Sequence, residues 1–344
     1  MATYVAEDLN DPTLYFETLI WTGDGNTPRT LTGLDFAPNM IWSKRRDDAA
    51  GHNVLDSVRG AGANAELCPS STGAEGSNAA ETYGYLSAFT SDGFTVTAGS
   101  SDNAYWNNNT ATYVAWCWKE SATAGFDIVT YAGDAAEGRN ISHSLGAVPH
   151  VMIVKNRSAD VKWVVYHHKN TSAPETDHLQ LSDDAATSDD DSTWDDTAPG
   201  SSVFRIKGSS SVNGSSANYV SYLFTEKQGF SKFGGYTGNG NADGTFVPLS
   251  FRPAWLLIKK TSATEDWGLI DNKRDPNNDG ASSQLFPNGS NTEDSSNDRA
   301  DLLSNGFKLK TSSGQWNTDG ASYIYMAFAE APFVNSKGVP ANAR

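Results

Sequence analysis

Cysteine is nearly absent: Cys68 and Cys117 are the only two in 344 residues, and both fall before residue 120. A disulfide framework is thereby excluded as the general means of stabilisation, because the rest of the chain must fold without one. Both are expected as free thiols, and Cys117, between Trp116 and Trp118 in an apparent strand, reads as a small buried hydrophobe. Long apolar runs are missing as well. No segment approaches the roughly 18 to 20 residues of a membrane helix, so membrane insertion is not expected. The opening Met1-Ala-Thr-Tyr-Val-Ala-Glu-Asp has neither the basic nor the apolar region of a secretion signal, and synthesis in a bacterial cytoplasm is the expectation.

Positive charge is scarce. With 25 basic against 41 acidic residues the net charge is −16, so the mean field repels phosphate, and nucleic acid is not an expected partner. Amphipathic helices are lacking, since no long window sustains apolar residues at i, i+3 and i+4. The signatures of common catalytic machinery are also missing: there is no Gly-x-Ser-x-Gly, HExxH or GxxxxGK[ST], and the expectation is a non-enzymatic protein.

What is present is a sentence spoken three times. Trp21-Thr-Gly-Asp-Gly-Asn, Tyr131-Ala-Gly-Asp-Ala and Tyr236-Thr-Gly-Asn-Gly-Asn begin three blocks. Each leads to a proline (Pro38, Pro149, Pro253), then to NMIWSK, HVMIVK or AWLLIK, with Lys44, Lys155 and Lys259 aligned. Each later carries Asp92-Gly-Phe94, Ser202-Val-Phe204 or Asn305-Gly-Phe307, and closes without a gap on 107–120, 213–226 or 317–330. A period of about 105 residues is far above that of solenoid or propeller repeats and has the size of an independent domain. The expected division is an arm at 1–14, modules at 15–122, 126–229 and 230–334, and a tail at 335–344.

Period-2 alternation marks the closing segments as strands, with Val114, Trp116 and Trp118, then Val220, Tyr222 and Phe224, then Ile324, Met326 and Phe328 on a core-facing side. The post-proline runs are short and continuously apolar, which suits central strands covered on both faces. Between them lie long Ser, Asn, Asp, Thr and Gly stretches that favour turns. The fold class expected is all-β: three tandem related β-sandwich modules of about 105 residues with long polar loops, allowing short helical turns around Val58 and across Asp298–Leu303.

Several constellations carry chemistry. The aligned lysines read as strand-ending residues whose stems cover the core while the ammonium stays in water. Asp56-Ser-Val-Arg59 and Asp271-Asn-Lys-Arg274 place an acid and a guanidinium where they could pair, and the second repeat has His167 and Asn170 instead, which makes the device structural rather than catalytic. The adjacent His167 and His168 point to opposite faces of a strand and lack a third ligand at a metal-like spacing. The acidic run around Asp189, Asp191 and Asp195 reads either as a calcium site or as a solvated loop, since calcium takes carboxylate oxygens but no EF-hand pattern is present. Trp106 with Asn107, Trp316 with Asn317, and Trp194 in the acidic loop are candidates for gripping a glycan, the ring stacking on a sugar face and the amides bonding hydroxyls. The other reading of the indoles is that they plug the ends of the sandwiches.

The wording YTGNG, then Phe251-Arg-Pro253 before an apolar strand and Lys259, then Gly306-Phe307, then YIYMAFAE and APF, resembles a family of repetitive β-rich proteins of tailed bacteriophages, especially those of marine bacteria. The resemblance covers Tyr15 to Phe333 and is closest in the third repeat. The second departs most, with Ala135 and Ala136 in the turn and no Gly-Phe. It implies a virion structural protein, a tail fibre or appendage component contacting the host surface, with other virion proteins and host-surface polysaccharide as partners and a homo-oligomer as its state. It supplies no catalytic residues. The alternative is a capsid decoration or connector protein that binds only other virion proteins, with Met1–Leu14 adding a strand to a neighbour's sheet.

Overall fold

Each repeat folds into two facing antiparallel sheets. The computed structural model describes Leu9, residues 11–330 and the backbone of 333–334 and 340–341. Most of the expected arm and tail therefore lies outside the described residues. In the first repeat β1 (Phe16–Thr22), β3 (Met40–Arg45), β4 (His52–Asp56) and β7 (Thr112–Trp118) form a sheet in the order β1-β7-β3-β4, and β2 (Arg29–Thr32), β5 (Tyr85–Thr90) and β6 (Gly93–Thr97) form a smaller one.

The second repeat supplies β8 (Phe126–Ala132), β10 (Val151–Asn156), β11 (Val164–His167), β12 (Asp177–Gln180), β13 (Ser188–Asp189) and β15 (Asn218–Phe224) in the order β13-β12-β11-β10-β15-β8, faced by β9 (Arg139–Ser142) and β14 (Val203–Ile206). In the third, β16 (Ser231–Thr237), β18 (Pro253–Lys260), β19 (Gly268–Asp271) and β22 (Ser322–Ala329) run β16-β22-β18-β19. They are faced by β17 (Phe246–Pro248), β20 (Ala300–Leu303) and β21 (Gly306–Leu309). A short hairpin, β23 (Phe333–Val334) and β24 (Pro340–Ala341), follows.

The strand expected to be helical, Ala300–Leu303, is β20, because pairing with β21 buries Ala300 and Leu302 on one face. Helical turns form at α1 (Ala80–Tyr83) and α2 (Gly314–Asn317), with 3-10 turns at Pro12–Leu14, Ala63–Ala65 and Pro174–Thr176.

The sandwich cores take one parity of each closing strand, for example Tyr113, Ala115 and Cys117 in the first repeat and Tyr323, Tyr325 and Ala327 in the third. The other parity faces elsewhere. Val114, Trp116 and Trp118, Val220, Tyr222 and Phe224, and Ile324, Met326 and Phe328 all enter one further core, together with Met40, Trp42, Val151, Ile153, Trp255 and Leu257 from the post-proline strands. The three large sheets thus surround a common apolar axis, each covered on its outer side by its own small sheet. The repeats are thus joined in packing, since the most extensive apolar cluster among the described residues is shared by all three. A small cavity lined only by apolar surface remains on the axis, among Trp42, Trp163, Phe224, Trp255 and Met326.

The seams between repeats follow one pattern with one exception. Asp56 and Arg59 pair with both side chains fully buried, and Tyr222 of the second repeat donates to the same carboxylate at 2.8 Å. Asp271 and Arg274 pair likewise, and Trp116 Nε1 of the first repeat donates to Asp271 at 2.9 Å. A glutamate extends each pair across the seam, Arg59–Glu75–Arg157 on one side and Arg274–Glu293–Arg46 on the other.

At the remaining seam the neighbour offers Met326 where the others offer Tyr222 or Trp116, so no side-chain donor is available to a buried carboxylate there. His167 stands in the acid's place and bonds the backbone carbonyl of Tyr325 at 3.1 Å. Asn170 and Thr187 replace the arginine and glutamate and bond each other at 2.6 Å. The backbone bridge is common to all three seams: Glu75 to Arg157, Glu293 to Arg46 and Thr187 to Thr261.

The aligned lysines correct another expectation. Lys44, Lys155 and Lys259 are wholly buried, and their ammonium groups are caged by carbonyl oxygens instead of water. Lys155 bonds Val161 of its own repeat and Thr72 of the first, at 2.7 and 2.8 Å, while Lys259 bonds Glu265 and, across a seam, Asp184. Burial lowers all three to about 8.

Two tests follow from this packing. Arg59→Met strands Asp56 without its cation and is expected to cost about 3–5 kcal/mol, whereas Asn170→Ala at the neutral seam should cost only about 1 kcal/mol. Urea denaturation of the two variants measures the difference. Ala135 holds the left-handed turn (φ 57°) that Gly25 and Gly240 hold in the other repeats, so Ala135→Gly should stabilise by roughly 1 kcal/mol, read as a raised Tm.

Candidate functional site

The repeated opening motif is explained by a lock and not by a ligand. Asn107, Asn213 and Asn317 each reach into the turn after the opening aromatic. Their amide nitrogens donate to Asp24, Asp134 and Asn239 at 2.7, 2.9 and 2.8 Å, and their carbonyl oxygens accept the backbone N–H of those same residues. Gly23, Gly133 and Gly238 press against this segment so closely that a Cβ would lie 1.9 to 2.2 Å from a backbone oxygen, hence glycine in every copy. The opening aromatics stack on tyrosines of the closing strands, Trp21 on Tyr113, Tyr131 on Tyr219 and Tyr236 on Tyr323, at 5.2, 5.1 and 4.8 Å.

The glycan candidates are consumed by this packing. Trp106, Trp316, Asn107 and Asn317 are 0% exposed and Trp194 is 1% exposed, so no ring face is open to stack on a sugar. The indoles fill the sandwich cores: Trp194 packs edge-on to Tyr166 and donates to the Asp177 carbonyl, and Trp316 donates to Gln284 at 2.9 Å. The plugging reading is the one realised, because a large ring at the end of a two-sheet core removes more apolar surface from water than one left outside it.

Asp189, Asp191 and Asp195 do not converge. Asp191 is drawn to Lys207 at 2.6 Å, Asp195 to Arg205, and the nearby Asp183 to Lys162. Among the described residues no group of three or more His, Cys, Asp or Glu is placed to hold a metal ion. The donor set thus gives calcium no common centre, Asp191 and Asp195 being turned onto different cations. Cys68 and Cys117 are both free and buried, and burial pushes the Cys68 thiol up to about 11.

What the sequence did not flag is a surface cleft of about 530 Å³ in the first repeat. One wall is the loop Gly62–Asn64, and the other is Glu81 of α1, Tyr85 and the segment 98–100. Gly60 and Gly62 turn the loop outward with φ of 94° and 119°, which other residues adopt only at a cost. Gly99 lets the floor pass beneath α1, since a Cβ there would lie 2.3 Å from the Thr82 backbone. Backbone bonds from Gly62 to Leu86 and from Ser100 to Glu81 fix the two walls.

Two residues beyond Glu81, Tyr83 is 37% exposed and packs tilted on Tyr105 at 5.3 Å. A second cleft of about 330 Å³ shares Gly62, Ala63 and Asn64 and ends at the Arg59–Glu75–Arg157 chain. Amide, hydroxyl, carboxylate and phenol groups line a shallow, half-polar trough, which suits a hydroxyl-rich ligand. The signal in the sequence was the pair of turn glycines, Gly60 and Gly62, followed by Tyr83-Gly-Tyr85.

Beside the cleft, Glu66 is buried with its Oε1 bonded to Asn78 at 2.9 Å and its Oε2 unpartnered. Among the described residues no cation faces it, and burial lifts its carboxyl to about 8. In the third repeat the equivalent residue is the neutral Gln284, which accepts from Trp316 and Arg299.

The family model described as Domain of unknown function (DUF7483) matches residues 11–332, and the chain belongs to that family. The match runs through all three repeats, so the family unit is the whole three-sandwich assembly. No curated protein and no solved structure matches the chain.

Glu66 supplies a test of the site's electrostatics. Its raised carboxyl makes the folded state hold a proton that the unfolded state gives up above about 4.5, so stability is full below that pH and declines as pH rises toward 8. Glu66→Gln should therefore raise stability by on the order of 2 kcal/mol at pH 8.5 and leave it nearly unchanged at pH 4.5, measured by denaturant titration at the two values.

Proposed function

We propose that this member of the DUF7483 family is a structural component of a bacteriophage particle, built into a tail appendage, that meets the host surface through the cleft of its first repeat. The observation that carries the reading is how the repeats use their chemistry. The acids, guanidiniums, lysines and indoles that recur from copy to copy are enclosed at the seams and in the cores, where they hold three sandwiches around one axis. Such a body is suited to bearing load and presenting loops. The phage resemblance carried by the third repeat supports the same assignment, and the chain's acidity keeps it clear of packaged nucleic acid.

Host contact rests on the cleft, because its polar groups can bond sugar hydroxyls and Tyr85 in its wall, with the exposed Tyr83 two residues away, offers a ring face. Immunogold labelling of purified particles places the chain: gold on the tail appendage is expected, and absence from the particle defeats the proposal. Protein tetramerised on streptavidin should label host cells, and Tyr83→Ala combined with Tyr85→Ala should lower that labelling roughly tenfold while Trp316→Phe leaves it unchanged. Equal labelling by wild type and the double tyrosine variant rules out the cleft as the contact surface.

A further inference from the structure

The third sandwich is joined to both neighbours through buried histidines that must be neutral. At the seam with the second, His167 donates from Nε2 to the Tyr325 carbonyl and accepts at Nδ1 from the Lys169 N–H, both at 3.1 Å. At the seam with the first, His52 contacts the Phe286 carbonyl through Nε2 at 3.0 Å and accepts at Nδ1 from Trp42 Nε1 at 2.9 Å. The donors at Nδ1 fix the tautomer, leaving Nε2 to donate across the seam. A second proton on either ring would set one N–H against another in a space without water, the two residues being 0% and 1% exposed.

We propose that acidification releases the third sandwich from the other two, which stay joined. The contacts described between the first and second repeats, Asp56–Arg59 with Tyr222 and Glu75 with Arg157, contain no histidine. The groups facing the two rings oppose protonation. Lys44 and Arg274 face His52, and the seam's carboxylate, Asp271, is already bound by Arg274 and Trp116. His167 faces His168, His150 and Lys169, while Glu226 lies 3.8 Å from His168 instead.

Burial, aided by neighbouring cations, holds His167 down at about 3 and His52 well below its ordinary range. Groups held below their unfolded value of about 6.5 contribute their full share of stability above that pH. They lose it as pH falls, by about tenfold per unit and per histidine in the ratio of closed to open form. Opening would uncover the apolar faces carrying Trp255, Leu257, Met326 and Phe328.

Hydrogen exchange of the full chain at pH 7.5 and 5.0, corrected for intrinsic rates, tests this. Peptides covering β18, β19, β22 and the Phe286 loop should exchange at least about tenfold faster at pH 5.0, while Asp56–Arg59 and Tyr222 peptides stay protected. Uniform loss of protection at all three seams, or none, overturns the proposal. The double variant His52→Gln, His167→Gln keeps a donor and an acceptor but no titration, and its seams should be insensitive to this pH change; retained sensitivity overturns it. Should that variant not fold, the imidazole NMR signals of the native chain decide: ordinary midpoints near 6.5 for His52 and His167 in the closed form overturn the proposal, and absence of titration down to the opening pH supports it.

Discussion

The shared apolar axis is the constraint on which the remaining structure depends. Placing three sheets face to face around it leaves each large sheet with no solvent side, since its other face is already committed to a small sheet. Both parities of the central strands must then be apolar, and every polar group at their ends must find a partner inside the protein. The carbonyl cages around Lys44, Lys155 and Lys259 and the bonds made by Asp56, Asp271 and His167 are consequences of that enclosure. A buried charge without such bonds would cost several kcal/mol.

The seams show how a repeat accommodates substitution. The carboxylate at the end of β4 and β19 is retained where the neighbour supplies a phenol or an indole N–H, and is exchanged for an imidazole where the neighbour supplies only Met326. The arginine and the glutamate change with it, to Asn170 and Thr187. Four positions, two of them three residues apart and the others more distant, thus vary as a set, because a partly satisfied buried ionic chain is worse than a wholly neutral one. The symmetry of the fold is kept while the chemistry of one seam differs.

Function on this plan is left to what the repeats do not share. Loop locks, stacked aromatic pairs and seam bridges recur and hold the body rigid. The cleft depends on features of the first repeat, namely the outward loop at Gly60–Gly62 and helix α1 packed over Gly99. A rigid scaffold carrying a divergent loop region is the usual physical division between stability and recognition.

The sequence by itself determined the triplication, the all-β class, the placement of the closing and post-proline strands and the pairing of Asp56 with Arg59 and Asp271 with Arg274. These depend on period-2 burial and on residues a few positions apart, which local order makes legible. Only the tertiary structure decided that the face of Trp116 and Trp118 meets the other two repeats, that the aligned lysines are dry, and that Trp106, Trp194 and Trp316 are enclosed. It also decided that Asp191 and Asp195 turn onto separate cations, away from a common centre with Asp189, and that a cleft opens beside Tyr85. An alternating pattern reports that a face is covered, whereas the identity of what covers it is set by residues about a hundred positions away.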